Sequence, residues 1–197
     1  MIIGLTGGIA TGKSESAKYF EELGAYSIDA DAISRDITKQ GMPALAKLVK
    51  IFGNDILYCD GNLNRQKLAN IVFSDKQSKL EVDKVLHVYI IARINEIISR
   101  KTNKPNVIVN APLLFEVGLD RICDKIVVIW IPYDIEVKRL ALRDNLNTDE
   151  VKKRIDSQMP LEKKTKLADF VIDNSGSKKE LKEKIINLYK LLTSGVE

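Results

Sequence analysis

The chain has little of what would mark a secreted, membrane-bound or nucleic-acid-binding protein. Its 197 residues hold two cysteines, Cys59 and Cys123, far apart and without CxxC spacing. That is the pattern of two reduced thiols in a cytoplasmic protein. No basic stretch precedes the apolar N-terminus, so it does not read as a signal peptide. The longest apolar runs, such as Ile126 to Ile131, are far too short to cross a bilayer, which excludes a membrane anchor of that kind. No concentrated basic arm with interleaved aromatics is present, so nothing calls for a nucleic acid partner. The net charge is only +4 and the isoelectric point is near 8.9. So mild a positive balance suits an enzyme that handles polyanionic substrates.

What is present is an ordinary globular composition, 45% hydrophobic and 29% charged. A chain of this length is one domain, or one domain with an inserted lobe, and can bury a sizeable core. The most informative stretch is at the start. Gly7, four further residues and Gly12-Lys13-Ser14 complete the phosphate-loop pattern. An apolar run precedes it, and Ala17, Phe20 and Leu23 follow at helical spacing. Strand, glycine loop and helix start together aim successive N–H groups at one phosphate, reinforced by the helix dipole. Gly8, Ala10, Thr11, Gly12, Lys13, Ser14 and Glu15 are therefore the candidate ATP-binding residues. Lys13 reaches the β- and γ-phosphates, and the Ser14 hydroxyl sits on Mg²⁺.

Five strand-like runs recur along the chain: Ile2 to Leu5, Ala25 to Ile28, Asn106 to Ala111, Lys125 to Ile131 and Asp169 to Ile172. Continuous β-branched runs separated by helical stretches predict an α/β fold with a parallel, doubly wound sheet. Between the second and third runs lie helical patterns over 43–52 and 64–100, with a turn at Asp60-Gly61. We read residues 35–100 as an inserted helical lobe that covers a substrate, and 1–34 with 101–197 as the nucleotide-binding core. A helix is expected from Asp134 to Arg143. The charge-dense residues 143–166 read as a lid over the site, or as a solvated helix pair. Residues 178–192 form an amphipathic helix.

A phosphate loop alone names no reaction. A GTPase would need Asn-Lys-x-Asp after an apolar strand; Asn103-Lys104-Pro105-Asn106 lacks the aspartate and precedes a strand. A motor ATPase would need a strand ending in Asp; the third run ends Asn110-Ala111-Pro112. A small-molecule kinase fits, with a nucleoside monophosphate kinase and a non-catalytic nucleotide-binding regulator as alternatives. The second informative feature is Ser27-Ile28-Asp29-Ala30-Asp31. In an extended segment the two aspartates face opposite ways. Each reads equally as an acceptor-side carboxylate or as the N-cap of a helix beginning at Ala32.

The chain is similar to the dephospho-coenzyme A kinases, in order and spacing, from about residue 2 to 176. The resemblance runs through Gly-Leu-Thr-Gly-Gly-Ile-x-x-Gly-Lys-Ser, Asp29-Ala30-Asp31-x-Ile33-x-Arg35, Gly41-x-Pro43-Ala44 and Asp60-Gly61-x-Leu63-x-Arg65-x-x-Leu68. It continues through Pro112-Leu113-Leu114-Phe115-Glu116 and Asp169-Phe170-Val171-Ile172-Asp173-Asn174-Ser175-Gly176. It implies a P-loop kinase fold and transfer of the ATP γ-phosphate to the ribose 3′-hydroxyl of dephospho-CoA, the last step of CoA synthesis. It makes Asp31 the catalytic carboxylate and Arg143 the lid arginine, with Arg139 behind it. Pro112, Leu113, Leu114 and Glu116 would line the acceptor pocket. Arg65 would neutralise a substrate phosphate or position the lobe, and Asn174 would sit beside adenine. His87 stands where the family has His-Pro, here followed by Val88. Two further departures are Ala10 for a usual glycine, expected to keep a negative φ, and Glu15 for a common threonine, expected to point away from the phosphates. The expected assembly is a monomer or weak homo-oligomer.

Overall fold

The computed structural model describes residues 1–100 and 106–194. Residues 103–105, most of the rejected guanine-reading motif, lie outside the described residues, as does the start of the expected core segment at 101–105. The chain divides into two compact units, Met1–Ile28 with Thr102–Glu197, and Asp29–Lys101.

The first unit is built on a five-stranded sheet in the order β2-β3-β1-β4-β5. Its strands are β1 (Ile2–Gly7), β2 (Tyr26–Asp29), β3 (Val107–Asn110), β4 (Lys125–Trp130) and β5 (Phe170–Asp173). β1 runs parallel to β3 and β4, and β4 parallel to β5. Register sets Leu5 beside Asn110, Gly7 beside Ile129 and Trp130 beside Asp173. The strand ends that carry sequence motifs therefore share one edge, where open α/β sheets bind ligands.

The β-branched runs are strands because both faces are covered. Ile3, Leu5, Ile108, Val127 and Ile129 form one core with Ala17 and Phe20 of α1 (Lys13–Glu22) and Leu181, Ile185, Leu188 and Tyr189 of α9 (Lys178–Thr193). Burying each large apolar side chain contributes roughly 1.5–3 kcal/mol. Phe20 meets Tyr189 edge-on at 5.8 Å. The Tyr189 hydroxyl accepts a hydrogen bond from Asn106 at 3.0 Å, which satisfies a buried amide. α9 opens on a Ser177/Glu180 capping box, whose reciprocal bonds satisfy two otherwise orphan N–H groups. This unit also holds α6 (Tyr133–Asp144), α7 (Thr148–Asp156) and α8 (Leu161–Leu167). The last two occupy the charge-dense segment.

The second unit holds α2 (Ala30–Ile37), α3 (Pro43–Phe52), α4 (Arg65–Ser74) and α5 (Lys76–Arg100). Pro43 opens α3 at a position that needs no N–H. Leu45, Leu48, Ile56, Leu63, Leu68 and Val82 form a separate core here. The Asp60-Gly61 turn closes between Leu57 and Leu63, which form an isolated antiparallel bridge.

Two sequence expectations change. The chain is not extended through Asp31: α2 begins at Ala30, because the Asp29 carboxylate accepts the N–H groups of Asp31 and Ala32 at 2.8 and 3.1 Å. Asp29 is thus the cap, and Asp31 stands in the first helical turn. Ala10 does not keep a negative φ; it lies at +59°. The loop demands a left-handed residue there, and alanine accepts it at a cost of roughly 1–2 kcal/mol.

Candidate active site

The phosphate loop is a glycine cradle closed from three sides. α1 starts at Lys13 behind Gly12, which sits at φ +96° and lends no side-chain cap to the helix. The first-turn N–H groups therefore receive no side-chain cap from Gly12. A side chain at Gly12 would place Cβ 2.2 Å from Asn174 Nδ2, so strain and space both require glycine. Thr11 is buried; its hydroxyl donates to the Gly8 carbonyl at 3.0 Å. Its own carbonyl accepts Asn174 Nδ2 at 2.8 Å. Lys13 Nζ donates to the Gly8 carbonyl at 2.7 Å, which keeps its cation against the loop. Ser14 is exposed. The Glu15 carboxylate accepts from the Tyr19 hydroxyl at 3.0 Å and from Lys178 at 3.4 Å. The Tyr19 bond is the main cause that lowers its pKa.

Asn174, expected from the resemblance to sit beside adenine, lies just beyond β5. Its N–H donates to the Trp130 carbonyl at 2.8 Å, and its carbonyl accepts Arg139 at 3.0 Å. Strand β5, helix α6 and the phosphate loop therefore meet at one residue. Arg143, one helical turn beyond Arg139, forms a two-point bond with Asp144 at 2.8 and 3.1 Å. Asp144 also accepts Arg154 of α7. The Arg143 bond is the first cause that holds the Asp144 carboxyl below its ordinary value.

The segment after β3 splits by role. Leu113 is partly exposed, whereas Leu114 is fully buried with its methyl groups beneath Gly4. The Pro112 carbonyl accepts the Thr6 hydroxyl at 3.2 Å and Lys164 Nζ at 2.5 Å. Glu116 pairs with Lys164 at 2.9 Å and accepts the Met159 N–H at 2.9 Å. Lys164 is completely buried. The end of the charge-dense segment is thereby bound to the Pro112–Glu116 loop.

In the second unit, Asp31 is exposed on α2. Arg65 donates to Thr38 Oγ1 at 2.6 Å and toward the Arg35 carbonyl at 3.5 Å. Burial, then the neighbouring Arg35 charge, pull its pKa down. His87 lies on α5 with Nε2 shielded and without a hydrogen-bond partner among the described residues.

A family model described as dephospho-CoA kinase matches residues 1–180. The chain belongs to the dephospho-CoA kinase family. A dephospho-CoA kinase of Carboxydothermus hydrogenoformans is 42% identical over 189 residues, which are 95% of this chain and 92% of that one. One from Bacillus licheniformis is 40% identical over 196 residues, 98% of this chain and 95% of its own. The solved structure of a dephospho-CoA kinase from Campylobacter jejuni superposes with a TM-score of 0.71 at 32% identity, covering 98% of each chain. The parallel sheet and glycine loop are those of the P-loop kinase fold, and this member of the dephospho-CoA kinase family is an enzyme.

The donor chemistry at the loop fits a magnesium nucleotide. No group of three or more His, Cys, Asp or Glu able to hold an ion occurs among the described residues. Mg²⁺ keeps several waters and binds through one or two protein oxygens plus phosphates; the exposed Ser14 hydroxyl is such an oxygen. No helix among the described residues is long and apolar enough to cross a membrane.

Sequence reasoning missed two buried ionic residues of this dephospho-CoA kinase, Glu136 and Lys164. Each leaves a faint trace. Glu136 lies four before Leu140, and Lys164 three after Leu161, so both occupy the apolar faces of their helices.

Proposed function

We propose that the chain phosphorylates the ribose 3′-hydroxyl of dephospho-CoA with ATP, forming CoA and ADP in coenzyme A biosynthesis. Family membership supports the acceptor. The donor side rests on one observation: an uncapped helix start behind a loop that no side chain can enter at Gly12, with Lys13 folded against it.

The acceptor oxygen forms a bond to the γ-phosphorus as the bridging oxygen to ADP leaves. Asp31 accepts or orients the hydroxyl proton, work for which Asp29 is unsuited because its oxygen already caps α2. Lys13 and the first-turn N–H groups hold the phosphates, and Arg143 meets the charge spread over the transferring group. Ser14 would hold Mg²⁺, which would supply neutralisation of the β- and γ-phosphate charge. Arg139 and Asn174 shape the adenine side. Pro112, Leu113 and Glu116 form the acceptor side, with buried Leu114 supporting them from within the core, while Arg65 and His87 take the coenzyme. Positioning and electrostatics do most of the work. Residues 143–166 act as the lid, 35–100 as the substrate lobe and the remainder as the nucleotide core. The enzyme works in the cytoplasm, as a monomer or weak homo-oligomer, without nucleic acid or membrane partners.

The test is ADP release with dephospho-CoA, AMP, CMP, GMP or UMP as acceptor. Release driven by dephospho-CoA alone supports the reading. Release driven by a monophosphate would make the chain a nucleotide kinase, and binding of ATP without any acceptor-dependent release would make it a regulator.

A further inference from the structure

Glu136 has no part in the chemistry above, yet it lies directly against the phosphate loop. It sits in the first turn of α6 and is 3% exposed. A Cβ at Gly8 would stand 2.1 Å from its Oε1 and 3.0 Å from its Cδ, so the carboxyl explains why position 8 carries no side chain. The Ile9 backbone amide faces its carboxyl and favours the charged form. The charges around it are Lys13 from α1, and Lys164 and Glu162 from α8. With Tyr133, Asp156 of α7 and Gln158 it also lines a cavity of about 360 Å³.

A carboxyl in this place does two things. Packed against Gly8 and facing the Ile9 amide, it backs the loop that must receive phosphate. As a buried anion it opposes the negative charge that a nucleotide brings to the same loop. Burial already outweighs the two lysines and raises the pKa of Glu136; phosphate nearby acts in the same direction. Binding and protonation are then linked, each favouring the other.

We propose that Glu136 is a positioning residue that supports the phosphate loop best when protonated, so that nucleotide binding is coupled to proton uptake at this carboxyl. The proposal rests on the reading of residues 7–14 as the ATP loop.

The experiment compares Mg·ADP affinity of the wild type and Glu136→Gln from about pH 5.5 to about pH 8. The amide keeps the size and an acceptor oxygen and cannot ionise. The expected result is equal affinity at the acid end and roughly tenfold tighter binding by E136Q at the alkaline end, a change of one pKa unit in the linked group. In the same titrations, wild type takes up protons within the part of the range where its affinity falls with pH, read as a dependence of binding heat on buffer ionisation enthalpy, and E136Q does not. A merely structural role would shift both curves by a constant factor and show no uptake; either result overturns the proposal. The wild-type uptake measurement stands even should the variant fold poorly. Absence of nucleotide binding by wild type at every pH would instead remove the loop reading itself.

Discussion

Replacing Lys164 with methionine tests how the charge-dense segment is held. The Lys164 side chain is wholly buried, and its Nζ lies 2.9 Å from Glu116 Oε1 and 2.5 Å from the Pro112 carbonyl. Methionine fills the volume but removes the cation. Pro112 keeps the Thr6 hydroxyl. Glu116 keeps one backbone donor, Met159, while its Oε2 is buried without a partner among the described residues. Breaking a buried pair on one side costs about 3–5 kcal/mol. In a chain of this size each kcal/mol moves the melting temperature by about 2–4 °C, so K164M should melt on the order of 10 °C lower. The double variant K164M/E116Q removes the stranded charge and should recover most of that loss. Circular dichroism melts of the four proteins read the cycle. A single variant within about 2 °C of wild type, a shift smaller than 1 kcal/mol, would refute the argument.

Asp31→Asn should lower turnover by about 10²–10⁴-fold while ATP affinity stays near that of wild type; equal losses in both would make Asp31 structural or a metal ligand. Ala10→Gly relieves the left-handed strain at φ +59° and should stabilise by up to about 1 kcal/mol, after the entropy of the freer unfolded chain is set against it; a denaturant melt showing destabilisation would contradict the loop geometry. Burial, with Asp120 and Asp124 nearby, pushes the Cys123 thiol up to about 12, whereas Cys59 is exposed. Iodoacetamide at neutral to mildly alkaline pH should therefore add one adduct, at Cys59, by peptide mass mapping; prompt labelling of Cys123 would show that its site opens.

Local signals were legible where local physics decides structure. The β-branched runs became the sheet because both faces are covered, and 43–52 is a helix on the strength of Pro43 and its apolar stripe. The Asp29/Asp31 ambiguity was real in sequence, since either aspartate can cap. It resolves because the turn into α2 comes one residue after Asp29, a choice made by backbone geometry. The sign of φ at Ala10 was misread for the same reason: nothing in the residue type reveals what the loop imposes. Glu136 and Lys164 left only a faint trace, and the Asn174 bond to Thr11 none, because their partners are distant in the chain. Asn174 and Thr11 are 163 positions apart. A buried charge looks like a surface charge until its neighbours are in place.

The most direct test of the central claim is incubation of purified protein with Mg·ATP and dephospho-CoA, followed by mass spectrometry of the acceptor. The account predicts a gain of about 80 Da that requires both ATP and Mg²⁺ and maps to the ribose 3′-hydroxyl. An unmodified acceptor while ATP remains bound, or a phosphoryl group at another position, would contradict it.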